Sequence, residues 1–556
     1  MNKKVCSFPI LFALLTLLIG TCAVVFPASA QAAPTSTGSI TVSGTVARSY
    51  DAYQIFSANV VDGDSDAKIA TDLAWASDAV RDAALPVLHS AGMPNSQTTA
   101  QEAAEWLNTD SHLTSALSAQ LARSLQSSGA ELAALNAGTA AKLPCGYWLI
   151  VADDDAIAQG EAGTAPIMVL VGGSAVTVKP KAATPKVSKH VLEDSTAAWQ
   201  KAADATVADD LYWRLSATVP AGLAAYDTYA VRFVDTMSAG LDPSKVAASM
   251  RVYAAAGADG GFDAVSADKD GRAGTEPAKG WTDITAQCAT KVAADGKTFT
   301  VRTGDLIAAL GGADAFTAGA RVVAVYNAPL NSACNHGIAK GNPNEVYLRY
   351  PRSPFADQSG DAGFTRTPSD DACAYTWDLA LTKRGSDGDK PLAGAVLSIT
   401  DDRGRTLSAD GTWDAEGKAT VTTGEDGRVT VSGVDSGKLE VRELKAPKGY
   451  TAFEGTHSVT VKAEGLDVDQ VAAAKPKLTI TAESPLRADS ADGSTGSLEA
   501  SLINTPTGTP PSITTGGFMP STGDMAMYAA AAAAAAGAAL IVVALLVKRG
   551  GGSHKE

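Results

Sequence analysis

Three segments rich in proline, glycine, threonine and serine interrupt this chain of 556 residues, and they require it to fold as a row of modules rather than as one domain. The segments are residues 181–186, 351–370 and 505–518. Each interval between them has the size of an ordinary domain. The sequence therefore predicts three modules followed by a stalk at 505–518, with the modules at residues 38–181, 185–354 and 375–504.

The first module is predicted to be mainly β with an inserted helical segment. GSITVSGTV at residues 38–46 alternates β-branched with small residues, as a half-buried strand does, while CGYWLIVAD and APIMVLVGG predict more deeply buried strands. Residues 98–126 have the pattern of helix, and Thr99 with Glu102 fits a capping box. A stripe of leucines every fourth residue favours a buried helix face, and it comprises Leu113, Leu117, Leu121 and Leu125.

Composition excludes several functional classes. The formal charge of −15 argues against a nucleic-acid partner, because phosphate binding needs clustered cations. The six histidines are scattered, no CxxC pair occurs, and no glycine-rich phosphate loop follows a strand. Residues 62–68, DGDSDAK, resemble a calcium loop but have Ala67 where the turn needs glycine. We therefore expect no metal, no cofactor and no enzymatic activity.

The amino-terminal segment predicts export. Residues 1–30 begin with lysines, continue with an apolar run and end in small residues, which is the layout of a secretory signal peptide. Cleavage is expected after Ala30, with Ala32 and Ala33 as alternative sites. Lipidation at Cys22 is a further alternative.

The carboxyl-terminal segment predicts membrane retention followed by transfer. Residues 525–547 are apolar and uncharged, and they predict a transmembrane helix in the precursor, followed by a basic cytoplasmic tail at 548–556. The MPSTG stretch at 519–523 resembles the LPxTG cell-wall sorting signal of Gram-positive surface proteins, with methionine in the place of leucine. The resemblance implies that a sortase cysteine attacks the carbonyl of Thr522, releases Gly523 and passes the acyl group to an amine.

The second module resembles the fimbrial isopeptide-formation domain. Its TPKVSKHV, VDTMSAGLD and GNPNEVYLRY stretches are similar to the PxVxK, DxxxxGL and GNxNxVxLxY stretches of that family, although YPRSP stands where the family has Tyr-Ser-Asn. The resemblance assigns an autocatalytic crosslink to Lys189, Asn344 and Asp235. Lys186 and Asn342 are the alternatives for the lysine and the asparagine.

The third module resembles a Cna B-type domain, an immunoglobulin-like β-sandwich. It starts with YTWDLALTKRG and ends with LEASLINTPTG. Its LEVRELKAPKGY is similar to the pilin E-box, YxLxETxAPxGY, with Leu439 in the place of the tyrosine and Leu444 in that of the threonine. The resemblance assigns a second crosslink to Lys383, Asn504 and Glu443.

The chemistry implied at both sites follows from burial. A lysine on an inward strand face loses hydration, so its pKa falls and its neutral amine becomes a nucleophile. The carboxamide carbon of an asparagine on an adjacent strand is the electrophile. A buried acid, whose pKa burial raises, moves the proton so that ammonia leaves.

The exit of the first module carries the amine that the sorting signal requires. SYDAYQIF and LPCGYWLIV resemble the amino-terminal domain of fimbrial backbone proteins, and VTVKPK at residues 176–181 resembles the pilin motif VxVYPK. The resemblance implies that Lys181 of one subunit is joined to Thr522 of the next, with Lys179 as the alternative lysine.

Four cysteines remain after removal of the signal peptide, in an oxidising compartment that permits disulfides. Three pairings are open. Because Cys288 and Cys334 lie in one module, their disulfide is the most economical, and free thiols are the alternative.

Together these resemblances imply a sortase-assembled backbone, or major, pilin of the Spa type, built from tandem immunoglobulin-like modules and displayed on the wall of a Gram-positive cell. The expected partners are a pilin-specific and a housekeeping sortase, further copies of the chain, minor pilins, peptidoglycan and host surface ligands. The alternative is a monomeric wall-anchored adhesin or a minor pilin, which differs in making no intersubunit bond at Lys181.

Overall fold

The computed structural model describes residues 36–508, apart from residues 65–66, 110, 181–183, 269–270, 313–315 and 317. The predicted signal peptide, most of the stalk, the MPSTG motif, the apolar stretch and the basic tail lie outside these residues. Within the described part of the chain, no helix is long and apolar enough to cross a membrane. The described residues are mainly β and form six sheets, two in each module.

The described residues of the first module form eight strands: β1 (Thr37–Val42), β2 (Ser49–Asp62), β3 (Lys68–Trp75), β4 (Leu132–Asn136), β5 (Ala140–Pro144), β6 (Gly146–Ala152), β7 (Ile167–Val171) and β8 (Val176–Val178). One sheet has the order β5-β1-β8, and the other has the order β3-β2-β6-β7 with β4 also paired to β2. The three strands predicted from the sequence of this module are β1, β6 and β7.

The helical segment of this module is longer and more divided than predicted. Its helices are α1 (Asp78–Ser90), α2 (Ala100–Asn108) and α3 (Ser115–Ser128). The capping box of Thr99 is present in α2, and Thr114 caps α3 by accepting a hydrogen bond from Leu117 N, so the segment breaks between the two caps. The leucine stripe is confirmed as core on α3, where Leu117, Leu121 and Leu125 are buried.

The second module is a sandwich of two sheets. Its strands are β9 (Lys186–Glu193), β10 (Ala198–Gln200), β11 (Ala202–Asp204), β12 (Tyr212–Val219), β13 (Arg232–Met237), β14 (Arg251–Ala256), β15 (Thr282–Asp283), β16 (Ala289–Val292), β17 (Thr298–Arg302), β18 (Ala320–Asn327), β19 (Asn342–Pro351), β20 (Phe364–Arg366) and β21 (Asp370–Tyr375), with short helices α4 (Val246–Ser249) and α5 (Leu306–Ala309). The sheet orders are β10-β9-β12-β18-β14-β15 and β11-β21-β19-β13-β17-β16, with β20 on β19. Trp213 and Leu215 from the first sheet pack with Phe233 and Leu348 from the second.

The prediction that residues 351–370 form a linker is wrong in part. Strand β20 lies inside it and pairs with β19, and β21 begins at its last residue. Phe364 is buried, and the ladder satisfies the backbone groups of the two strands. The second module therefore continues to Tyr375.

The third module is again a pair of sheets. Its strands are β22 (Trp377–Gly385), β23 (Val396–Thr400), β24 (Thr406–Leu407), β25 (Trp413–Asp414), β26 (Val421–Thr422), β27 (Arg428–Val434), β28 (Gly437–Lys445), β29 (Tyr450–Thr451), β30 (Thr456–Glu464), β31 (Lys477–Ala482), β32 (Leu486–Asp492) and β33 (Ser497–Pro506). One sheet has the order β27-β22-β33-β29 with β32 on β33, and the other has the order β25-β24-β23-β28-β30-β31 with β26 on β23. The first strand, β22, runs parallel to the last, β33.

The second and third modules meet at a buried group of acids. Asp204, at the end of β11, accepts hydrogen bonds from Trp377 Nε1 at 2.7 Å and from Ser436 N at 2.9 Å, which ties the two modules together. Burial, and then the charge of Asp204, raises the pKa of Glu193 to about 8. The same two causes raise the pKa of Asp435 well above its usual value. Protonation of Glu193 and Asp435 therefore stabilises the junction.

This junction predicts that the protein is more stable in mild acid than in mild base. The folded state binds the Glu193 proton more tightly than the unfolded chain, whose pKa is near 4.5, so the free energy of unfolding falls as the pH rises from about 4.5 to about 8. The melting temperature of the ectodomain, measured by calorimetry, should drop between about pH 5.5 and about pH 8.5, and should drop less in Glu193→Gln. Glu425→Gln, at an exposed turn, should keep the wild-type dependence. Equal dependence in wild type and Glu193→Gln would contradict the prediction.

Candidate functional site

The second module brings the three predicted residues into one buried cluster between its two sheets. Lys189 comes from β9 in one sheet, whereas Asp235 and Asn344 come from β13 and β19 in the facing sheet. In the β13–β19 ladder Asp235 pairs with Val346 and Met237 pairs with Asn344, so the two side chains are diagonal neighbours on the inward face. The three side chains have no measurable exposure to solvent.

A fourth residue, which the sequence analysis missed, lies at the centre of this cluster. Tyr326 is on β18, in the same sheet as Lys189, and its hydroxyl accepts a hydrogen bond from Lys189 Nζ at 2.8 Å. It also accepts one from Asn344 Nδ2 at 2.8 Å and lies 3.1 Å from Asp235 Oδ2. Lys189 Nζ contacts Asp235 Oδ2 directly. The amine, the acid and the amide therefore share one hydroxyl.

Burial sets the protonation of this cluster. It lowers the pKa of Lys189 to about 8, against the opposing charge of Asp235. Burial likewise raises the pKa of Asp235, and it raises that of Tyr326 well above its usual value. Asp235 Oδ1 and Asn344 Oδ1 are buried and find no hydrogen-bond partner among the described residues. The lowered pKa of Lys189 and the raised pKa of Asp235 both ease transfer of a proton from the amine to the acid.

The backbone of Lys189 is held by a pair of charged side chains. Strand β10 pairs with β9 only from Val191 to Glu193, so the outer edge of β9 has no ladder partner at Lys189. Asp370 Oδ2 accepts from Lys189 N at 2.7 Å, and Lys201 Nζ donates to Lys189 O at 2.9 Å. Lys201 also contacts Asp370. This pair replaces the missing strand and fixes where the lysine side chain starts.

The alternative residues of the second module do not reach this cluster. Lys186 is exposed at the start of β9. Asn342 is buried, but its side chain bonds the backbone of Asn335 in both directions, at 2.8 Å each, and donates to Ala374 O at 3.2 Å. Asn342 therefore closes a loop, and the structure places Lys189 with Asn344.

The third module brings together its own three predicted residues. Lys383 on β22 and Asn504 on β33 are on parallel neighbouring strands, where Lys383 pairs with Leu502. Glu443 reaches them from β28 in the facing sheet. Lys383 Nζ contacts Asn504 Oδ1 directly and lies 3.0 Å from Glu443 Oε1.

Glu443 also holds the amide nitrogen of this cluster. Both of its oxygens accept from Asn504 Nδ2 at 3.0 Å, and Oε2 accepts from Phe453 N at 3.0 Å. Burial lowers the pKa of Lys383 to about 8, against the opposing contact with Glu443. The Phe453 ring lies 5.2 Å from Lys383 Nζ and covers the amine. The arrangement can carry attack of the amine on the carboxamide carbon, with the acid beside the leaving nitrogen.

The residues predicted to link subunits lie largely outside the described part of the chain. Lys181, Thr522 and Gly523 are outside it. Lys179 is exposed directly after β8, and Pro180 beside it is buried. The intersubunit linkage therefore stays a prediction from the sequence.

The predicted disulfide between Cys288 and Cys334 is not formed. All four cysteines among the described residues are free thiols. Cys288 donates to Ile284 O at 3.3 Å before β16, whereas Cys334 follows β18 with its Sγ 3.5 Å from His336 Nε2. The two thiols contact different elements of the module. Across the described residues, no group of His, Cys, Asp and Glu could hold a metal ion.

Comparison with known proteins bears on the third module most directly. A family model described as "SpaA: Prealbumin-like fold domain" matches residues 378–475. The matched range includes Lys383 and Glu443, while Asn504 lies beyond it. The trypsin-resistant surface T6 protein of Streptococcus pyogenes serotype M6 is 30% identical over 143 residues, which are 24% of this chain and 24% of that protein. The match thus spans about a quarter of the length of this curated relative.

Solved structures of pilins cover a larger part of the chain at lower identity. The T6 backbone pilin of serotype M6 Streptococcus pyogenes is 17% identical, with a TM-score of 0.45 over 85% of this chain and 98% of that one. The full-length major pilin SpaD from Corynebacterium diphtheriae is 15% identical, with a TM-score of 0.40 over 85% of this chain and 98% of that one. Residues 378–475 thus match the SpaA prealbumin-like fold model, and part of the chain is similar to the T6 surface protein.

Proposed function

We propose that this chain is the structural subunit of a covalently polymerised pilus shaft on a Gram-positive cell surface. The observation that carries the proposal is the recurrence of one cluster, a buried lysine, asparagine and acid, in two successive modules. A carboxamide accompanies the buried lysine and acid in both clusters. Asn504 Oδ1 contacts Lys383 Nζ directly, whereas Asn344 Nδ2 shares the Tyr326 hydroxyl with Lys189 Nζ. The domain match and the T6 relative agree with a surface role.

In this proposal each cluster becomes an isopeptide bond. The lysine Nζ forms a bond to the asparagine Cγ, the bond from Cγ to Nδ2 breaks, and one proton passes from Nζ to the departing ammonia. The product is a neutral amide in place of a buried amine, whose charged form is costly to keep in the core. The bonds join Lys189 to Asn344 and Lys383 to Asn504.

Polymerisation uses Thr522, which follows the third module, and a lysine between the first and second modules. Sortase cleaves between Thr522 and Gly523, and the acyl group passes to Lys181, or alternatively to Lys179, in the connector after β8. A pilin-specific sortase adds subunits and a housekeeping sortase transfers the base to peptidoglycan. In this scheme the second and third modules are Cna B-type sandwiches. Minor pilins occupy the ends of the shaft.

The crosslinks predict a mass deficit in the mature protein. Each condensation expels one ammonia, so intact mass spectrometry of the reduced ectodomain should give about 17 Da less than the calculated mass per bond. Glu443→Gln should restore about 17 Da, because the acid beside the leaving nitrogen is lost while Lys383 and Asn504 remain. Glu440→Gln, an exposed change on the same strand, should keep the full deficit. A reduced wild type with the full calculated mass would refute both bonds.

Polymerisation has its own test. With its cognate sortase, the protein should form a ladder that resists SDS, because amide bonds between subunits survive denaturation. Lys181→Ala should collapse the ladder to monomer, while Lys186→Ala, a nearby exposed lysine, should leave it intact. A ladder that persists in Lys181→Ala with Lys179→Ala would contradict the linkage. A wild type that is anchored but never forms a ladder would instead indicate the monomeric adhesin or minor pilin.

A further inference from the structure

The two clusters differ in how the acid reaches the nitrogen that must leave. In the third module both oxygens of Glu443 lie 3.0 Å from Asn504 Nδ2. In the second module Asp235 has no hydrogen bond to Asn344 Nδ2, and among the described residues the shorter aspartate side chain forms hydrogen bonds only with Lys189 and Tyr326. A proton held on Asp235 therefore has no direct path to the leaving group.

Tyr326 fills this gap. Its hydroxyl oxygen lies 2.8 Å from Asn344 Nδ2, 2.8 Å from Lys189 Nζ and 3.1 Å from Asp235 Oδ2. This is the one hydrogen bond that Asn344 Nδ2 makes within the described residues. A hydroxyl can accept a proton on one lone pair while it gives up its own, so it can carry a proton between two groups without a stable charge.

The rings of Tyr326 and Phe453 follow the same division, while the Trp213 ring also lies 5.4 Å from Lys189 Nζ. The Tyr326 ring lies 5.3 Å from Lys189 Nζ, and the Phe453 ring lies 5.2 Å from Lys383 Nζ. Both rings exclude water from the amine. In the second module, where the acid is the shorter aspartate, the ring is a tyrosine and has a hydroxyl. In the third module, where the acid is glutamate, the ring is a phenylalanine and has none.

We propose that Tyr326 is a further catalytic residue of the second module, which relays a proton from Asp235 to Asn344 Nδ2. The inference rests on the proposed crosslink. As the bond from Lys189 Nζ to Asn344 Cγ forms, the Nζ proton passes to Asp235, whose own proton moves to the Tyr326 oxygen. Tyr326 gives its original proton to Nδ2, the bond from Cγ to Nδ2 breaks, and ammonia leaves. Asp235 and Tyr326 end as they began.

The first test removes the hydroxyl and keeps the ring. Tyr326→Phe should slow formation of the Lys189–Asn344 bond by about 100-fold or more, since positioned proton transfer contributes about that much. The protein would be made in a short pulse of cell-free synthesis, quenched at intervals and weighed intact, with peptide mapping to locate each bond. The Lys383–Asn504 bond should form at the wild-type rate, which also shows that the third module has folded.

A matched control removes another buried hydroxyl from the same module. Tyr253 on β14 is buried and donates to Thr275 O at 2.8 Å, away from the cluster. Tyr253→Phe should crosslink like the wild type. If Tyr253→Phe were as slow as Tyr326→Phe, the effect would be one of packing, and the relay would be overturned.

A rescue experiment separates a loss of proton relay from a loss of folding. Asp235→Glu combined with Tyr326→Phe lengthens the acid where the hydroxyl has been removed, so that it can reach Asn344 Nδ2 as Glu443 reaches Asn504. This double variant should crosslink at least 10-fold faster than Tyr326→Phe alone, as expected when a proton donor is restored within reach. A double variant as slow as Tyr326→Phe would overturn the relay, including in the case that Tyr326→Phe folds poorly.

The outcomes distinguish the relay from the crosslink on which it rests. A wild type without the Lys189–Asn344 bond would overturn the proposed crosslink itself. A wild type that forms the bond, together with a Tyr326→Phe variant that forms it equally fast, would overturn only the role of Tyr326.

Discussion

The burial of two lysine amines away from water is the constraint on which the rest of this structure depends. Lys189 and Lys383 point into sandwich cores where an isolated ammonium would be very costly. Each is therefore surrounded by groups that either share its proton or can react with it: an acid, a carboxamide and an aromatic ring. The sheets that carry these groups must keep a fixed register and spacing, because a shift of one residue would turn every side chain to the opposite face.

The positions of the two proposed bonds suggest why they join these strands. Under tension between Thr522 and Lys181, force would enter the third module along β33, cross from Asn504 to Lys383 and leave along β22 towards the second module. In the second module it would cross from Asn344 to Lys189, close to the connector. The residues between each bonded pair would carry no load. By analogy with disulfides, closing loops this long would also stabilise each module by about 5 kcal/mol.

The two clusters bring together the same three kinds of side chain with different geometry. In the third module the amine and amide lie on parallel neighbours in one sheet, and the acid comes from the other sheet. In the second module the acid and amide share a sheet, and the amine comes from across the core. The shorter acid of the second module leaves a space that the Tyr326 hydroxyl occupies. The two arrangements of strands therefore go with acids of different side-chain length, Asp235 in the second module and Glu443 in the third.

The sequence by itself determined most of the modular plan and most of the residues proposed to react, because these depend on local patterns: alternation along strands, proline-rich breaks and short motifs around Lys189 and Glu443. Through the resemblance it assigned Asn344 and left Asn342 as the alternative. Both face inward on β19, since residues two apart on a strand share a face, and only the packing of that strand against β13 and the facing sheet places Asn344 with the amine. Tyr326 was missed for the same reason, because its partners are remote in sequence and meet it only when the two sheets close over a common core.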